Sequence, residues 1–210
     1  QFSHSANDFI SGIPRELYTG VNTLVANFVK GMSSEGGQVA QTTAPAAKEY
    51  KVGDFGPAGG WIFYDKGRVT NGWRYLEAAP SETEFTAPWG VYEKTVGGTA
   101  AGVGTGKRNT EVIANYLRGI RESGKAAQLC DSLVSDGFDD WFLPSKDELN
   151  LMYTNLKAKG KGEFGAGWYW SSSEDNNGDA WFQMFSDGSQ ANTYYYDKGY
   201  TFSVRAVRAF

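Results

Sequence analysis

The last stretch of the chain, Gly167–Phe210, reads GWYWSSSEDNNGDAWFQMFSDGSQANTYYYDKGYTFSVRAVRAF and holds two kinds of position. Trp168, Trp170, Trp181, Phe185, Val204 and Val207 are the residues of packed strands. Between them stand Asp175, Asn176, Asn177, Asp179, Ser186, Asn192, Thr193, Tyr194, Tyr195, Tyr196 and Tyr200. Tyrosine offers wide contact area with few rotors to freeze, and Asn, Asp and Ser offer adaptable hydrogen bonds. A framework carrying such residues on its loops reads as a recognition module. The stretch is expected to hold strands and turns only: YWSSS, AWFQMF, the tight turn SDGSQ, a tyrosine-rich segment and FSVRAVRAF.

Upstream of Gly167, helices occupy the middle of the chain. Asn109 is expected to cap a helix from Thr110 to about Arg121, and Gly124 to end it. A second helix follows through Ala127, Leu129, Cys130, Leu133 and Val134. DDWFLP reads as a strand stopped by Pro144. Ser145-Lys-Asp-Glu148 is a capping box for a third helix with Leu149, Met152, Tyr153 and Leu156 inward. Further back, GGWIFYD (Gly59–Asp65) and WRYLEAAP read as strands, and residues 81–108 as loop. Strands thus bracket the helices on both sides. An α+β fold whose sheet joins the first and last strands is the expected closure.

Residues 1–48 differ from the domain at 49–210. Pro14 opens a helical stripe of Leu17, Val21, Leu24, Val25 and Phe28, closed at Gly31. Ser33–Glu49 has the small, polar composition of a linker or strap. This segment reads either as a docked spacer or stalk, or as the lead from a membrane anchor preceding residue 1.

Composition removes several function classes. The net charge of -4 argues against nucleic acid, which calls for a basic face. No apolar run approaches the roughly 20 residues that span a bilayer. The single cysteine, Cys130, excludes an internal disulfide framework and a multi-thiolate metal site. The single histidine, His4, lies outside the domain, which discounts Ser-His-Asp and Cys-His catalysis.

Tempting motifs fail on spacing. AAGVGTGKRNT has Ala101 where a phosphate loop needs glycine, and Arg108 where it needs Ser or Thr. A flexible loop entering a helix is the better reading, with an anion at the helix amino end left open. Asp175-Asn-Asn177-Gly-Asp179 begins like a calcium loop, but Ala180 and Ser186 break the pattern. Asp136, Asp139 and Asp140 read as an exposed acidic turn, with a hard cation as the alternative. Glu174 and Asp187 could meet across strands as a glycosidase pair. Of the adjacent Tyr194, Tyr195 and Tyr196, at least one must face outward, because side chains alternate on an extended chain.

The runs VGDFGPAGGWIFYDKG, GWRYLEAAP, GTGKRNTEVI, DWFLPSKDELNLMYTNL, YWSSSE, AWFQMFSDGSQ and VRAVRAF occur in that order. Together they resemble the bacterial domain found at the carboxyl end of Legionella collagen-like protein, across about residues 50–210. The resemblance implies a C-type-lectin-like fold. It extends to variable proteins of diversity-generating retroelements of the Treponema type, whose carboxyl-terminal cassette is rewritten at adenines. It does not extend to formylglycine-generating enzymes, whose chemistry needs paired cysteines. The calcium-dependent sugar motifs of animal lectins are absent from the chain.

The resemblance implies a non-catalytic, surface-displayed binding protein, a receptor or adhesin with its variable region at about 170–210. The side chains reachable from an AAC codon by adenine changes are the expected ligand-binding set: Asp175, Asn176, Asn177, Asp179, Phe182, Ser186, Asp187, Ser189, Asn192, Tyr194, Tyr195, Tyr196, Tyr200 and Phe202. Met184 and Gln190 are not reachable and read as scaffold. No cofactor, metal or catalytic residue is expected. The expected partner is a protein or glycan on a host or neighbouring cell, with secretion or outer-membrane lipidation as the route to the surface. The alternatives are a lectin-fold enzyme, glycosidase-like, and an invariant structural adhesin domain.

Overall fold

The computed structural model describes residues 48–192 and 195–210; the helix expected from Pro14 to Gly31, the strap up to residue 47, and Tyr194 lie outside the described residues. Among the described residues, eight strands and three α-helices form an α+β arrangement with mixed and antiparallel sheets.

Strands β1 (Trp61–Thr70) and β2 (Trp73–Ala78) form a hairpin longer than the alternating pattern predicts. Its turn is Asn71-Gly72, at φ 52° and 82°, which suits the tight connections that favour Asn-Gly. The chain end returns as β8 (Val207–Ala209) to pair with β2, giving the sheet β1-β2-β8. The expected joining of first and last strands therefore runs through β2.

The second sheet has the order β3-β7-β4-β5-β6. It comprises β3 (Phe85–Pro88), β4 (Trp168–Glu174), β5 (Ala180–Met184), β6 (Gln190–Ala191) and β7 (Thr201–Val204). Only the β4–β7 pair is parallel. In sequence, β6 and β7 are separated by residues 192–200, yet they sit on opposite sides of the β4–β5 pair. That connection must therefore cross the sheet.

Three local expectations are corrected. DDWFLP is not a strand; Phe142 and Val207 exchange one isolated pair of backbone bonds. FSVRAVRAF is two strands, because Arg205 turns inward. Its guanidinium donates to Glu84 Oε2 at 2.7 Å and to the carbonyls of Ala79 and Gly162. Residues 81–108 are not all loop: Ser81–Thr83 is one 3-10 turn and Phe85–Pro88 is an edge strand ending at proline.

Helix α1 (Gly106–Gly119) starts earlier than an Asn109 cap would allow, and Asn109 is buried within it. Its amide instead binds the backbone of Ala100 and Ser172 Oγ. The carboxylate of Glu148 sits at the start of this helix, one oxygen accepting from Gly104 N and the other from Ser145 N of the third helix's capping box, both at 2.7 Å. Glu148 thereby fills the anion position left open in the sequence reading. A Cβ on Gly106 would lie 2.2 Å from Glu148 Oε2, so glycine is required for this approach.

Helix α2 (Ala126–Asp131) is shorter than expected, and Val134 lies outside it, exposed. Helix α3 (Lys146–Asn155) starts at the predicted capping box, with Ser145 and Glu148 bonded reciprocally. Leu149, Met152 and Leu156 are buried. Trp89, placed in a loop by the sequence reading, is among the largest buried side chains and donates to Ser171 O at 2.8 Å. Cys130 is buried, and burial pushes its thiol well above the ordinary range, as for a structural core cysteine.

Candidate functional site

Residues 195–200, which lead into β7, lie against one face of the five-stranded sheet, over an aromatic floor. Trp168 and Trp170 come from β4, Phe182 from β5 and Phe202 from β7. Trp170 and Phe202 have ring centroids 4.5 Å apart, Phe182 and Phe202 5.1 Å, and Trp168 and Phe182 4.9 Å. Side chains of alternate strand residues share a face, which is why these rings meet. Tyr196 lies on this floor, 6.0 Å from both Trp168 and Phe182 and 5.7 Å from Phe202. Tyr200 stands against Tyr196 at 5.3 Å. Above them the surface opens: Tyr195 is 78% exposed and Tyr200 46%.

The loop between β4 and β5 borders this face and is folded by its own side chains. Asn176 Oδ1 accepts from Gly178 N and Asp179 N, at 2.8 and 3.0 Å. Its Nδ2 donates to Asp175 Oδ2 and Asp179 Oδ2. The Asp-Asn-Asn-Gly-Asp run is thus a self-bonded turn of the kind Asn and Asp form locally. Asn177 at its tip is exposed. No cluster of three or more His, Cys, Asp or Glu suited to a metal occurs among the described residues.

Beneath the two loops lies a buried ion pair that the sequence reading missed. Lys198 Nζ donates to Glu174 Oε1 at 2.6 Å, Asn176 O at 2.6 Å and Lys94 O at 2.9 Å. Burial pushes the Lys198 pKa down, and the bond to Glu174 opposes that shift. The only signal in the sequence was a lysine between Asp197 and Gly199 in a cassette otherwise free of lysine; its partner Glu174, beyond four nearer aspartates, is set by the fold.

The fourteen expected site residues therefore separate. Tyr196 and Tyr200 lie over the floor with exposed Tyr195 beside them, the loop carrying Asp175, Asn176, Asn177 and Asp179 is tied to the same segment through Lys198, and Asn192, half-buried, follows β6. Ser186, Asp187 and Ser189 lie in the β5–β6 turn, at the other end of β5, where Asp187 Oδ1 accepts from Ser189 N and Oγ. Phe182 and Phe202 are corrected: both are buried floor, 1% and 9% exposed, because their strand positions face inward. Tyr194 lies outside the described residues.

The alternative chemistry does not assemble. The carboxylate of Glu174 is taken up by Lys198 and by Val96 N and Gly97 N, at 2.7 and 2.6 Å. Asp187 is committed to its own turn at the far end of β5. Asp140, in the acidic turn, pairs with Arg208 at 2.7 Å and 3.0 Å. Arg205 and Arg208 are both buried in ion pairs and present no basic face. Among the described residues no helix is long and apolar enough to cross a membrane.

No family model matches the chain, and no curated protein matches it in sequence. Among solved structures it is similar to a fimbrial protein from Bacteroides ovatus, with a TM-score of 0.47 and 17% identity. The match covers 66% of this chain, which spans only 36% of the length of that protein.

Proposed function

We propose that this chain is a non-catalytic, surface-displayed ligand-binding protein with a C-type-lectin-like fold. Its carboxyl-terminal region is the diversifiable site of a diversity-generating-retroelement variable protein. The observation that carries the reading is the division of labour on one sheet face. Tyr195 and Tyr200, 78% and 46% exposed, stand over a floor of Trp168, Trp170, Phe182 and Phe202 whose rings pack on one another. Exposed tyrosines on a rigid base make anchors, and the polar loop at 175–179 supplies adaptable contacts. The two-sheet arrangement, with the chain end returned to β2, supports the lectin-like assignment. The partner is a protein or glycan on another cell, and the route to the surface is secretion or an amino-terminal lipid.

Sequencing the surrounding genome tests this directly. A near-copy of the codons for 170–210, differing only at adenines and lying beside a reverse transcriptase, is expected. Absence of both from the complete genome would leave an invariant adhesin domain as the reading.

A further inference from the structure

Four oxygens surround the Lys198 ammonium: Glu174 Oε1 at 2.6 Å, Asn176 O at 2.6 Å, Lys94 O at 2.9 Å and Asn177 O at 3.2 Å. The Lys198 side chain is wholly buried, with the Trp89 ring 4.9 Å from Nζ. These oxygens come from two separate connections, and Lys198 comes from a third. Backbone bonds repeat the linkage: Gly90 N donates to Lys198 O at 3.0 Å, and Lys198 N to Gly178 O at 2.9 Å. Glu174 extends it to Val96 N and Gly97 N. A carboxylate with converging carbonyls is the donor set that hard cations take. Here the chain itself supplies the cation.

We propose that Lys198 is the positioning residue of the recognition surface: an internal cation that locks the segments at 89–97, 174–179 and 195–200 together and so adds Tyr92 to that surface. The proposal rests on the ligand-binding reading above for what the surface does. Tyr92 is 51% exposed, and its ring covers Gly178, where an added Cβ would sit 3.2 Å from Tyr92 Cε2. It thus flanks the 175–179 loop from outside the rewritten cassette. Lys198 from beneath and Tyr92 from beside hold the geometry on which the exposed cassette residues stand.

The test needs no ligand, so its failure would remove the clamp and leave the binding reading to the genomic test. Lys198→Met keeps the unbranched apolar stem of the side chain and removes the ammonium with its charge. Hydrogen-exchange protection of the Gly90, Val96, Gly97 and Lys198 amides is expected to fall roughly tenfold to a hundredfold, the range for lost bonds to charged groups. The nuclear Overhauser contact between the Tyr92 ring and Gly178 should disappear, while the amides of β4 and β5 keep their protection. In Lys198→Ala, propylammonium replaces the missing fragment and should restore protection where propanol does not. Unchanged protection in Lys198→Met, or rescue by propanol equal to that by propylammonium, or rescue by neither, overturns the proposal. If Lys198→Met does not fold, Glu174→Gln reads the same amides, with the same loss expected and unchanged protection again overturning it.

Discussion

The ring of Tyr196 stands edge-on to that of Phe182, with centroids 6.0 Å apart and planes at 86°. Its neighbour Tyr195 is 78% exposed. Two adjacent tyrosines thus have different work, one closing the aromatic floor and one projecting from it. Tyr196→Ala should cost roughly 1–3 kcal/mol, below the 3–5 expected of a fully buried large ring, since Tyr196 is half-buried. Tyr195→Ala should stay within about 0.5 kcal/mol. Urea unfolding of both variants measures the contrast, and equal losses would contradict it.

The same floor limits which adenine-reachable changes the chain tolerates. Phe182 packs against Trp168, Trp170, Tyr196 and Phe202 and is 1% exposed. Phe182→Asn would bury an amide without partners and leave a cavity, costing about 3–5 kcal/mol. Asn177→Tyr, at an exposed loop tip, should be neutral within about 0.5 kcal/mol. Thermal melts of the two variants check this, and a stable Phe182→Asn would return that position to the variable surface.

Arg205 joins β7 to the connection before β3, donating to Glu84 and to two backbone carbonyls. Removing one member of a buried pair leaves the other charge and its acceptors unsatisfied. Arg205→Ala should cost about 3–5 kcal/mol, read as a lower denaturant midpoint at unchanged slope. Lys is a poor substitute because the planar fork reaches Glu84 and the carbonyls together.

Much of this fold is legible in the sequence because its signals are local. The Ser145–Glu148 capping box is four consecutive residues, and the structure keeps it unchanged. Strands β4 and β5 announce themselves by spaced tryptophans. What escaped is non-local: Glu148 meets Gly104, Arg205 meets Glu84, and Lys198 meets Lys94 O, each across tens of residues. FSVRAV looks like an alternating strand with Arg205 outward, yet burial of that arginine against a distant glutamate splits it. At the site, codon chemistry groups Phe182 and Phe202 with the tyrosines, and only the sheet pairing shows that they face inward. Tyr92 was invisible for the converse reason, lying outside the cassette in sequence and beside it in space.

Glu148 gives the chain a distinctive pH response. Burial raises its pKa above the ordinary 4.5, and the backbone N–H groups of Ser145, Gly104 and Gly106 pull it back only in part. Between 4.5 and the folded value, the unfolded chain has released this proton and the folded chain retains it. The contribution is therefore fully present below 4.5 and is lost as pH rises through the folded value. Glu148→Gln has nearly the same shape and no charge to titrate, so that slope disappears in the variant. Other groups titrate alike in the two proteins and cancel in the difference. The melting temperature of Glu148→Gln minus that of the parent should thus become more positive as pH climbs from about 4 toward neutrality. A difference that moves the opposite way would mean that the three N–H groups hold the carboxylate ionised against its burial.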